Sequence, residues 1–74
     1  MTKEIKIQSA YGDGLFKNPK LAQSAYLMQV GQTGGVSMVR LNDGSYLVTT
    51  RKRAAQFETQ GAGEILFLHQ VVEL

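Results

Sequence analysis

One histidine, His69, and six carboxylates, Glu4, Asp13, Asp43, Glu58, Glu64 and Glu73, are the groups in this chain with acid–base or metal-binding chemistry. A bound zinc needs several converging ligands. The 74 residues contain no cysteine and no second histidine, so no paired histidine or cysteine ligands can form around His69. The lack of cysteine also removes a thiol nucleophile, cysteine-ligated clusters and disulfides. A serine triad can be assembled on paper from Ser9, His69 and Asp13, yet no G-x-S-x-G turn marks any serine as activated. Asp43 is accounted for by the turn it belongs to. Glu4 and Glu73 are expected on neighbouring solvated strands rather than as an acid–base pair. His69 then reads as a structural or rim histidine. These residues predict no enzyme, no cofactor and no metal.

The cations are more suggestive. Net charge is only +2, but three of the eight basic residues are consecutive at Arg51-Lys52-Arg53. Cations at a helix N-terminus are disfavoured by about 0.3 kcal/mol or more each, so a plain solvated helix start explains them poorly. They suit contacts to an acidic protein surface or to phosphates. A second, weaker anion site is suggested where Gly12-Asp13-Gly14 leads into a helix start flanked by Lys17 and Lys20. That loop lacks the spacing of a phosphate loop, and ordinary helix-start chemistry explains the same residues. Tyr11, Leu15 and Phe16 place three large apolar side chains in this glycine-containing stretch. Either they fold back over the core or they await a partner. Aromatic anchors beside cations are a typical hot-spot mixture. The signature of an RNA-binding sheet is missing, since Ser45-Tyr46-Leu47-Val48 has neither the glycines nor the second ring.

The elements that would position these groups follow from periodicity. Residues 3–9 alternate, with Ile5 and Ile7 on one face, and predict a strand. Asn18 as N-cap and Pro19 as first helical residue predict a helix over 19–30, its stripe made by Leu21, Ala25 and Met28 with Ala22 and Tyr26 beside them. Gly31 is its expected left-handed stop. Val36–Leu41 and Tyr46–Thr50 predict a hairpin with a two-residue Asp43-Gly44 turn, which would set Leu41 opposite Tyr46 and Val39 opposite Val48. Residues 51–60 predict a short helix carrying Ala54 and Phe57, with Gly61 as its stop. Residues 64–73 are apolar and β-branched enough to predict a last strand, with His69 on the face of Ile65, Phe67 and Val71. A rival parse makes 60–69 helical and 71–74 a short strand, against Gly61 and Gly63.

The sequence of elements is then β-α-β-β-α-β, which predicts one α+β domain over 1–74: a ferredoxin-like two-layer sandwich with both helices on one face of an antiparallel sheet. A small all-β barrel with one helix is the alternative. With 43% hydrophobic and 19% charged residues the chain is too apolar for disorder. No apolar run is longer than that of Ile65–Leu68, which is far short of a membrane span. The N-terminus lacks the apolar region of a secretion signal, which predicts a cytoplasmic protein. The function expected is that of a small regulator, of the kind phages use to inhibit a host enzyme. It would bind a larger, acidic protein through Tyr11, Leu15, Phe16, Arg51, Lys52 and Arg53, with Lys17 and Lys20 as an anion site. A nucleic-acid binder using Arg51–Arg53 is the alternative, and a homodimer capping the open sheet face is a further partner expectation.

Overall fold

The computed structural model describes residues 13–32 and 35–74. The strand expected over 3–9, and with it Glu4, Ser9 and Tyr11, lies outside them. The described chain is α+β, an open four-stranded antiparallel sheet with three helices. In chain order these are β1 (Gly14–Phe16), α1 (Pro19–Gln32), β2 (Val36–Leu41), β3 (Tyr46–Thr50), α2 (Arg51–Thr59), β4 (Gly63–Leu66) and α3 (Leu68–Val71).

Strand order across the sheet is β1-β3-β2-β4. The β2–β3 hairpin is central, and the first and last described strands lie at opposite edges. The ferredoxin-like order takes 3–9 as its first strand, and that strand lies outside the described residues. The expected packing of both helices on one face is corrected. Ala22 and Tyr26 of α1 and Val71 of α3 close over Val36, Met38, Val48 and Leu66. Ala54 and Phe57 of α2 close over Val39 and Leu47, which point the other way. Both faces of the sheet are covered, so strands β2 and β3 are apolar on both sides instead of alternating.

The hairpin register differs by one residue from the expected one. Val39 stands opposite Leu47 and Met38 opposite Val48. The turn contains three residues, not two: the Leu41 N–H donates to the Ser45 carbonyl across Asn42-Asp43-Gly44. A two-residue type I′ turn needs positive φ at both central positions. Among the described residues only Gly44 (φ 90°) and Gly61 (φ 71°) have it, and Asp43 does not. Instead Asp43 Oδ1 accepts the Ser45 N–H at 2.9 Å, and Gly44 supplies the one left-handed residue. A one-residue slip reverses every side chain.

Helix α1 starts where expected, with Asn18 Oδ1 accepting the Lys20 N–H at 2.8 Å. It does not stop at Gly31, which is helical, and its inner face is that of Ala22 and Tyr26. Leu21 and Met28 point outward. Ala25 of the expected stripe packs at the margin of the core, beside Ala22 and Tyr26. Helix α2 is capped by Thr50, whose hydroxyl oxygen accepts the Arg53 N–H, and Gly61 ends it as expected.

Residues 64–73 divide. Only Gly63–Leu66 joins the sheet, with Met38 opposite Leu66 and Leu41 opposite Gly63. Gly63 is required there, because a Cβ would meet the Arg40 carbonyl oxygen at 2.8 Å. The chain then turns into α3. Gln70 Oε1 accepts the Phe67 N–H at 2.8 Å, and the Phe67 carbonyl accepts from Gln70 and Val71. A side-chain acceptor offered to the backbone here competes with ladder pairing and ends the strand.

Candidate interaction surface

The basic segment is held by a buried carboxylate. Asp13, one residue before β1, points onto the α2 face, and its side chain is fully buried. The Thr49 hydroxyl donates to its Oδ1. Arg53 Nη2 donates to its Oδ2 at 2.6 Å, and the guanidinium also lies 5.5 Å from the Phe57 ring centroid. Arg53 is thus a structural cation, with only 16% of its side chain exposed. Of the expected cluster, Arg51 and Lys52 alone are exposed. A shallow open depression beside them is lined by Thr50, Lys52, Arg53 and Gln56.

The expected docking set is divided by the sheet. Phe16 turns towards α1 and packs against that core, as folding back requires. Leu15, opposite Leu47, faces the α2 side at the sheet edge and stays half exposed. At the other anion candidate Lys17 and Lys20 are exposed, but Asn18 already accepts the Lys20 N–H that an anion would use. Of the described members of the expected set, Leu15 lies on the α2 side of the sheet with Arg51 and Lys52, and Phe16 lies on the other.

A different surface does converge, around α3. Phe67 is 63% exposed, Leu68 52% and Val72 54%. Leu68 and Val72 are four residues apart and share one face. Behind them Val71 is buried, and Gln23 Nε2 of α1 donates to its carbonyl at 3.0 Å, locking α3 to α1. Leu27, also exposed, stands one turn beyond Gln23 on the same flank of α1. His69 does not face Ile65 and Val71 as a strand would require. Its ring stacks on Phe67 with centroids 6.2 Å apart and planes 5° from parallel, making a flat aromatic ledge. Sequence reasoning missed this surface by extending β4 to residue 73. The signal was present: Phe67, Leu68, Val71 and Val72 recur at helical i, i+1, i+4, i+5 spacing.

Among the described residues no three of His, Cys, Asp and Glu come together to hold a metal. Nor is any described helix long and apolar enough to cross a membrane. Comparison of the chain with protein-family models, with curated proteins and with solved structures finds no match.

Proposed function

We propose that this chain is a small, non-enzymatic interaction domain that docks on a larger protein through α3 and regulates it. The observation that carries the reading is Phe67, an aromatic ring more than half exposed and stacked on His69, with Leu68 and Val72 of the same short segment also exposed. Exposed apolar residues scattered singly need no explanation, whereas a clustered set with an aromatic anchor suits a protein hot spot. The partner that fits offers an uncharged apolar cleft, rather than the acidic surface the basic segment suggested. Arg53 is committed to Asp13, which weakens the phosphate-binding alternative to the two cations Arg51 and Lys52.

Site-directed photo-crosslinking in native lysate tests this. A crosslinker at position 69 is expected to trap one protein species, resistant to nuclease and lost in a Phe67→Ala background. A crosslinker at position 52 is expected to trap far less. Nuclease-sensitive products confined to position 52 would overturn the reading in favour of nucleic acid.

A further inference from the structure

The chain contains two Asp-Gly pairs, Asp13-Gly14 and Asp43-Gly44. In such a pair no side chain shields the glycine amide nitrogen, which can close on the carboxyl carbon of the aspartate before it. The fold puts the two pairs in opposite settings. The Asp13 side chain is fully buried, and Thr49 and Arg53 hold its carboxylate on the α2 side. Gly14 is fixed in β1 opposite Val48, where a Cβ would meet the Phe16 ring at 3.2 Å. Asp43 and Gly44 are instead exposed at the tip of the β2–β3 hairpin, and a Cβ on Gly44 would meet open space. There the Asp43 carboxylate accepts the Ser45 N–H, and the Gly44 N–H donates to the Leu41 carbonyl. At an exposed tip water replaces either partner at little net cost. Freeing the Asp13 carboxyl would leave the Arg53 guanidinium buried without its anion.

We propose that Asp43-Gly44 is a site of spontaneous isoaspartate formation in the folded chain, and that the fold blocks the same reaction at Asp13-Gly14. The Gly44 nitrogen attacks Cγ of the protonated Asp43 carboxyl. The N–Cγ bond forms, a Cγ–O bond breaks, and the hydroxyl leaves as water with the amide proton. Water, the sole co-reactant, then opens the succinimide ring. Addition at Cγ restores aspartate. Addition at the Asp43 main-chain carbonyl gives isoaspartate, in which the chain runs on through Cβ and Cγ. That product places an extra backbone atom in a turn closed by the Leu41 N–H and the Ser45 carbonyl. It also disturbs the neighbouring Asn42, whose backbone and side-chain N–H groups tie the hairpin tip to the carbonyls of Ala62 and Gly61. Modification at Asp43 thus loosens the tip from the connection between α2 and β4.

Incubation of the full chain in heavy-oxygen water at about pH 5, where part of the carboxyl is protonated, tests this, once folded and once in guanidinium chloride. Each ring opening leaves one heavy oxygen, read by mass spectrometry of tryptic peptides. Peptides 7–17 and 41–51 carry a single aspartate each, Asp13 and Asp43. Retained native circular dichroism shows that the first sample stays folded. In it, label and isoaspartate are expected in 41–51, at a rate at least roughly tenfold above that in 7–17, because a neutral Asp13 strands Arg53. In guanidinium chloride the two peptides are expected to label within about threefold of each other, both being exposed Asp-Gly pairs. A folded chain whose 41–51 peptide stays unlabelled would overturn the proposal, since the turn would then protect Asp43. Equal labelling of both peptides in the folded chain would overturn it too. So would a 7–17 peptide that stays unlabelled in guanidinium chloride, because something other than the fold would then shield Asp13.

Discussion

A carboxylate as deeply buried as that of Asp13 persists only with a cation and hydrogen-bond donors around it. Arg53 and Thr49 provide both, from forty and thirty-six residues away in the chain. Part of this was legible in the sequence. Three cations at a helix start are electrostatically out of place, and for Arg53 the reason is that its side chain turns back to a buried anion. The anion itself was not legible, because Asp13 between two glycines has the composition of a solvated loop. Only the pairing of Gly14 with Val48 turns it inward. Removing one partner of such a pair strands the other. Arg53→Met is expected to lower unfolding stability by about 3 kcal/mol, whereas Arg51→Ser, at an exposed position, should stay within about 0.5 kcal/mol of the parent. Urea denaturation of both variants measures the contrast. Equal, small losses would show that the Asp13–Arg53 pair contributes little.

Among the elements, the ends marked by local chemistry were legible: Asn18 and Pro19 opening α1, the α2 span, and Gly61 closing it. What failed was choice between near-equivalent alternatives. The letters Asn42-Asp43-Gly44 support a turn of two residues or of three, and a single hydrogen bond, Leu41 N–H to the Ser45 carbonyl, selects the longer one. Asp43 contributes to that selection. Its carboxyl is held below its ordinary value chiefly by the Ser45 backbone N–H, with the Ser45 side chain adding to the effect. A lowered folded-state value means that the ionised form is favoured by folding. The contribution is therefore fully present above the unfolded value of about 3.9 and is lost as pH falls through the lower folded value. Asp43→Ala is expected to be less stable than the parent near neutrality, with the difference shrinking as pH drops below about 4. Urea midpoints of the two chains at several pH values follow this directly. A gap that stays constant down to strong acid would show that Asp43 acts without its charge.

For the whole molecule, coverage of both sheet faces was the least legible feature. Its trace in the sequence is the weak alternation of Val36–Leu41 and Tyr46–Thr50, which a one-sided sheet cannot accommodate and a two-sided one requires. This arrangement separates the helices by chemistry. Helix α2 carries Arg51, Lys52, Arg53 and Glu58 on one side of the sheet. On the other, α1 carries Lys20 alone, and α3 presents Phe67, Leu68 and Val72 beside it. The two sides should then respond differently to ionic strength. Contacts made by exposed charges are screened within about 8 Å at 0.15 M salt, and phosphate binding weakens log-linearly as salt is raised. Burial of apolar area carries no such dependence. Crosslinking from position 69 is therefore expected to keep its yield when salt is raised several-fold, while any product from position 52 declines. A steep loss at position 69 would mean that charge, and hence the α2 side, dominates recognition, and the docking surface would have to be reassigned to Arg51 and Lys52.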